Sequence, residues 1–150
     1  MKKLRVMVLM HKELLPPDSL DGKTRKEIDE WRTEYDVVST LKELGHDVLE
    51  LGVGDEVLPI RMGIEEFKPN IVFNLLEAFN GECTYDQNVV AYLELLRQHY
   101  TGCNPRGLTL ARDKALSKKI LSYHRIRAPA FVVFPMGKKI KRPRRLEFPL

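Results

Sequence analysis

Residues 69–83, Pro-Asn-Ile-Val-Phe-Asn-Leu-Leu-Glu-Ala-Phe-Asn-Gly-Glu-Cys, constrain the fold more than any other stretch of the chain. A turn-forming Pro-Asn opens an apolar, partly β-branched run, and that run stops abruptly in Asn74, Glu77, Asn80, Gly81 and Glu82. The pattern predicts a buried strand with a polar exit. In an open parallel α/β sheet, ligands bind in the crevice beyond the carboxyl ends of the strands, where helix N-termini and loop amides converge. If this strand is central, Asn74, Glu77 and Glu82 face that crevice.

The flanking segments supply the rest of such a sheet. Residues 4–10 are apolar on both alternating faces, which suits a strand covered by helices on each side. A polar loop over residues 11–23 carries Pro16-Pro17 and Asp21-Gly22 as turn signals. Thr24 and Glu27 have the spacing of a capping box. Behind them Ile28, Trp31, Tyr35, Val38 and Leu41 form the apolar stripe of a helix ending at Leu44-Gly45. Residues 47–53 read as a second strand, which completes a right-handed β-α-β unit. A weaker helix over residues 57–67, interrupted near its start by Pro59, leads into the organising strand.

Thr84 and Gln87 repeat the capping-box spacing and predict a helix through about Gln98. Tyr100-Thr101 is a brief fourth strand with a turn behind it at residues 102–105. Residues 111–124 are helical, and residues 131–134, bounded by Pro129 and Pro135, form a β-prone run. Residues 146–150 open one more strand. Four strands alternating with helices in the first hundred residues predict an α/β fold, a Rossmann-like parallel sheet with helices on both faces.

Composition excludes several classes. With 150 residues and 43% hydrophobic content, the chain can build one domain with a core, or one domain and part of another. Cys83 and Cys103 form no CxxC pair, so neither a disulfide framework nor a zinc site is indicated, and a reducing, cytoplasmic setting is expected. Nothing approaches the roughly 20 apolar residues of a membrane span. His11, His46, His99 and His124 lie at no metal-ligand spacing. The first strand is followed by His11-Lys12-Glu13-Leu14, without glycine, so the GxGxxG and P-loop fingerprints both fail. The net charge of +4 is concentrated near the C-terminus, where residues 138–145 hold six basic residues in eight. That run has no interleaved aromatics and contains Pro143, which reads as a solvated loop rather than a nucleic-acid contact.

Several short motifs occur together in order: the polar loop after the organising strand, Tyr100-Thr101-Gly102, Ala111-Arg112-Asp113-Lys114-Ala115-Leu116-Ser117-Lys118, and Ala128-Pro129. Together they resemble the D-alanine:D-alanine ligases and their relatives in the ATP-grasp superfamily. The resemblance implies a Rossmann-like pre-ATP-grasp domain over residues 1–104 and the start of a truncated ATP-grasp central domain over residues 105–150. Lys114 matches the lysine that reaches the ATP phosphates in these ligases, where an ammonium on a flexible stem offsets phosphate charge. Gly81 and Glu82 match the loop that approaches the amino-acid substrate, and Asn74 and Glu77 join them as candidate substrate contacts. Asp113 is expected to cap the helix that it opens, and Lys118 to be a surface lysine.

Two departures stand out. Glu77 occupies the place of a histidine in the dipeptide ligases, and residues 11–23 have no counterpart of the Ser/Glu loop that holds the first substrate's amine. A carboxylate at Glu77 can still attract an ammonium. The implied reaction joins a carboxylate to an amine through an acyl phosphate, using ATP and Mg²⁺. In the superfamily a second ATP-binding lysine follows the strand that opens at residues 146–150, and the acidic metal ligands come later. The chain is therefore expected to be the N-terminal fragment of a longer ligase, inactive toward ATP alone, with no catalytic residue or metal ligand of its own. A small amino acid or peptide is the expected ligand, a homodimer is compatible, and neither membrane nor nucleic acid is expected. The alternative is a non-catalytic Rossmann-like module that binds a small ligand or a protein.

Overall fold

Strand β1 (Arg5–His11) occupies the middle of the sheet because its residues are apolar on both faces: Val6 through Met10 are all buried. The computed structural model describes residues 2–141 and 143. β1 pairs in parallel with β2 (Asp47–Val53) on one side and β3 (Ile71–Asn74) on the other, in the order β2-β1-β3. Val6 lies opposite Val48 in one ladder and Ile71 in the other. The centre of the sheet is thus β1 and not, as the sequence pattern suggests, the strand over residues 71–74: β3 is an outer strand, flanked on the side away from β1 by a single bridge to Tyr100. The chain divides into two compact units, Met1–Leu108 and Thr109–Leu150.

Alternation along β1 sorts the first unit's core into two layers. Val6, Val8 and Met10 pack with Val38 of α1 (Arg25–Glu43). Met7 and Leu9 pack on the opposite face with Ile60 of α2 (Leu58–Phe67) and with Val89 and Leu93 of α3 (Asp86–Leu95). Each fully buried aliphatic side chain contributes about 1.5–3 kcal/mol relative to exposure. The expected parallel α/β sheet with helices on both faces is therefore present.

The first capping box forms as expected. Glu27 N donates to Thr24 Oγ1 at 3.4 Å, and Thr24 N donates to Glu27 Oε2 at 2.8 Å. α1 is kinked at Trp31, whose φ of −125° and ψ of 21° are non-helical. The helix closes where His46 N donates to Leu41 O at 3.1 Å, a Schellman arrangement around Gly45.

Other expectations need correction. Pro59 starts α2 rather than interrupting it, since a first-turn proline gives up only an N–H that has no helical partner. The capping box at Thr84 and Gln87 does not form. Thr84 lies inside a 3-10 turn over Cys83–Tyr85, Tyr85 N donates to Glu82 O at 3.1 Å, and Tyr85 becomes the N-cap without a side-chain bond. α3 stops at Leu95, and the Gln98 side-chain amide donates instead to Pro69 O at 3.3 Å. The fourth strand reduces to one parallel bridge between Val72 and Tyr100. His99 O accepts from Val72 N and Thr101 N donates to Val72 O, but the Thr101 hydroxyl then takes the next donor, Asn74 N, so the ladder ends.

The continuous helix expected over residues 111–124 is two helices, α4 (Pro105–Arg112) and α5 (Lys114–Tyr123). The start of α4 was concealed by a turn signal, because Pro105 suits a first helical position as well as a turn. Asn104 Oδ1 accepts from Gly107 N at 2.8 Å. Asp113 breaks the path between the helices with φ −86° and ψ 82°, and its carboxylate accepts from Leu116 N at 2.8 Å. Residues 131–134 form no strand among the described residues. A β-prone run needs a neighbouring ladder, and propensity alone does not supply one. The strand expected at residues 146–150 lies outside the described residues, as does part of the basic run; Lys138, Lys139 and Lys141 are exposed.

Candidate functional site

The carboxyl ends of the three strands meet through their exit loops. Residues leaving β1 cross over the end of β2, and Gly52 permits that approach: a Cβ there would stand 2.9 Å from Lys12 Cα and 2.6 Å from Leu15 Cδ1. The Lys12 ammonium reaches Asp55 at 3.8 Å, and Asn80 N donates to Gly54 O at 2.8 Å. His11 ends β1, and its Nδ1 accepts from Glu13 N at 3.4 Å. One rim thus carries residues from the exits of all three strands.

Asn74, the last residue of β3, is half-buried and held by both of its ends. Its N–H donates to Thr101 Oγ1 at 3.0 Å, and its Oδ1 accepts from Leu76 N at 3.2 Å. The side chain therefore shapes the turn that sends the chain away from the sheet. Leu76 and Phe79 return to the core, which leaves Glu77 exposed between them.

The Gly81-Glu82 pair takes a specific shape. Asn80 and Gly81 have φ of +52° and +74°, and Phe79 and Glu82 exchange backbone hydrogen bonds of 3.2 and 3.0 Å. Asn-Gly with both φ positive is the tight type I′ hairpin turn. Gly81 is required for that backbone, and the Glu82 side chain is exposed at its exit. The structure thus brings Asn74, Glu77, Gly81 and Glu82 onto one loop at the carboxyl edge of the sheet.

In the second unit Lys114 is exposed in the first turn of α5, directly after the Asp113 cap. Lys118 is more than a surface lysine. It is half-buried, its ammonium donates to Pro129 O at 3.4 Å, and it lies 5.3 Å from the centre of the Phe131 ring. A pocket in this unit is lined by Lys118, Ser122, Arg125, Arg127 and Phe131 among others; Lys114 is not one of its walls.

Sequence reasoning passed over three residues that the fold gives a defined place. Thr101 is one, because a hydroxyl acting as a strand terminator has no periodic signature. Lys12 is another, since its neighbours come from a different strand exit. The third is Glu34, which α1 buries to 7% exposure beside Trp31 and Val38. A carboxylate within the apolar stripe, four residues before Val38, was the available signal.

Among the described residues, no three His, Cys, Asp or Glu side chains are grouped to hold a metal ion. No helix of the described residues is long and apolar enough to cross a membrane.

No family model matches the chain. It is 30% identical over 124 residues to the D-alanine–D-alanine ligase of Pseudothermotoga lettingae, a match covering 83% of this chain and 38% of that protein. It is 32% identical over 131 residues to the enzyme of the same name from Aquifex aeolicus, covering 87% of this chain and 40% of that one. A crystal structure of the D-alanine–D-alanine ligase from Bacillus anthracis, complexed with ATP, superposes on 94% of the chain and 41% of its own length. The TM-score is 0.59 at 20% identity, a likeness of fold. The chain spans about two fifths of the length of these relatives. At 30–32% identity over more than four fifths of its length, the chain belongs to the D-alanine–D-alanine ligase-like proteins of the ATP-grasp superfamily.

Proposed function

We propose that this chain is the substrate-side part of an ATP-dependent carboxylate–amine ligase, in which a carboxylate is activated as an acyl phosphate at the expense of ATP and then joined to an amine. The observation that carries the reading is the polar loop of β3, with Asn74, Glu77, Gly81 and Glu82 at the carboxyl edge of a parallel sheet, in a chain whose relatives are D-alanine–D-alanine ligases. Carboxyl-edge loops are where open α/β sheets bind ligands.

Each residue then has a physical task. Asn74 fixes the exit of β3, the type I′ turn at Asn80-Gly81 sets the direction of the loop, and Glu77 and Glu82 present carboxylates to an ammonium. Lys114, exposed on the first turn of α5, would offset phosphate charge on ATP. The resemblance assigns the magnesium ligands to the part of the ligase that this chain does not span, and no step is derived through the metal.

The test is ADP formation by the protein in which this chain is joined to its nucleotide-grasping part, with Mg²⁺ and a panel of D- and L-amino acids. ADP release that depends on an amino acid supports the reading, and the 150-residue chain alone releases none. Amino-acid binding by the joined protein with no ATP consumption overturns it in favour of a binding module.

A further inference from the structure

A reversal of the chain builds the cavity in the second unit. α5 ends at Tyr123, and Arg125, with φ of +58°, takes the left-handed position that turns the chain back. Its N–H donates to Ser122 O at 3.0 Å while Ile126 N donates to Leu121 O at 2.9 Å, a Schellman closure. Residues 126–132 then return past the helix. Lys118 pins them there, its ammonium donating to Pro129 O at 3.4 Å and standing 5.3 Å from the centre of the Phe131 ring. Between helix and returning chain lies an open concavity of about 550 Å³, the size of a small-molecule site.

Its walls are of two kinds. Lys118, Arg125 and Arg127 bring positive charge, and Ile126, Phe131 and Val132 bring apolar surface. No Asp or Glu is among the described walls. Among the described residues neither Arg125 nor Arg127 has an ion pair, and Lys118 donates to a neutral carbonyl. Nor can the unit supply a counterion nearby. Residues 109–141 contain one acidic side chain, Asp113, whose carboxylate is engaged by the Leu116 amide. Three cations facing one concavity repel one another, and an anion entering it relieves that repulsion. The end of a helix is by itself unfavourable to an anion. Here the carbonyls of Ile120, Leu121 and Ser122 are already accepting from His124, Ile126 and Arg125, which blunts that effect.

We propose that this cavity binds a phosphorylated small molecule with a flat apolar body. Guanidinium forks match phosphate oxygens in pairs, so Arg125 and Arg127 take the phosphate, with the remaining Lys118 donors beside them. The body lies against Ile126, Phe131 and Val132. Lys114 stands in the first turn of α5 and Arg125 just past its last, about 15 Å apart along the axis. The site is therefore separate from the phosphate contact proposed for Lys114, and it does not rest on the ligase reading.

The test is an NMR titration of the 150-residue chain with phenyl phosphate, inorganic phosphate and phenol. Phenyl phosphate is expected to bind about tenfold or more tightly than either of the others, with shifts centred on residues 118–132. Arg125→Asn combined with Arg127→Gln lowers phenyl phosphate affinity about tenfold and leaves phenol unchanged; Asn accepts the left-handed backbone, so the turn is kept. Phe131→Leu brings phenyl phosphate within about threefold of inorganic phosphate, and Lys114→Ala changes neither affinity by more than about twofold. Should Phe131→Leu disturb the fold, the arginine pair, which is exposed, decides. No binding of phenyl phosphate, equal binding of phenyl and inorganic phosphate by the wild type, affinity retained by the double variant, or loss of binding in Lys114→Ala overturns the assignment. ADP formation decides the ligase reading separately, so either can fail alone.

Discussion

Asn80 donates its backbone N–H to the carbonyl oxygen of Gly54 at 2.8 Å, tying the loop after β3 to the loop after β2. Asn80 is the first central residue of the hairpin turn and has a left-handed backbone, so its N–H is aimed across the strand ends rather than along its own loop. The candidate site is thus a rim whose parts hold one another in place, and its predictions concern that rim and the residues behind it.

Gly81→Val is expected to destabilise the first unit by about 1–2 kcal/mol, the cost of placing a side chain in the left-handed region. A Cβ at this position would meet nothing within 4 Å, so the effect is one of backbone conformation and not of crowding. Urea unfolding measures it. A neutral result would mean that the turn is not fixed as described.

Lys114→Ala leaves folding stability within about 0.5 kcal/mol, because the side chain is exposed and no part of the core. In the joined ligase it weakens ATP binding about tenfold or more, the scale of a lost charge-assisted contact. Nucleotide affinity by calorimetry checks this, and unchanged affinity removes Lys114 from the proposed site.

Tyr100 is pushed up to about 12 by partial burial and then by its hydrogen bond to Glu94 at 2.7 Å. Its folded value lies above the unfolded one, near 10. The corresponding stability is complete below about pH 10 and is lost as the pH rises toward 12. Ultraviolet titration of the native chain should show one tyrosine ionising late, and Tyr100→Phe should abolish that step. A late step that persists in the variant would refute the assignment.

Thr24→Ala is expected to cost about 1 kcal/mol through loss of the helix cap. The hydrogen bonds from Thr24 hold the Glu27 carboxyl below its ordinary value. That contribution is present above the usual carboxylate range and disappears as the pH falls through the lowered value. The difference in thermal midpoint between wild type and variant should therefore shrink in acid. A difference independent of pH would argue against the Glu27 half of the cap.

The sequence determined the elements whose stability is local or whose pattern leaves no choice. β1 could only be a doubly covered strand, since five consecutive residues from Val6 to Met10 had to leave water. Thr24 and Glu27 satisfy each other across three residues, so their cap was legible before any packing was known. The polar exit of β3 was legible in part, since Asn74 interrupts the apolar run and Glu77, Asn80 and Glu82 follow, whereas the return of Leu76 and Phe79 to the core was not. Tertiary structure decided whatever depended on a partner remote in the chain. Tyr100-Thr101 has strand propensity, but the Thr101 hydroxyl takes the Asn74 amide and ends the pairing after one bridge. Thr84 and Gln87 have the spacing of a cap, but the hairpin turn before them places Tyr85 at the helix start. Glu34 looks like any helix glutamate until β1, folding in beneath Val38, takes water away from that face. Local hydrogen bonds close within a few residues and are written in spacing, whereas burial depends on which distant segment arrives, and only the folded chain specifies that.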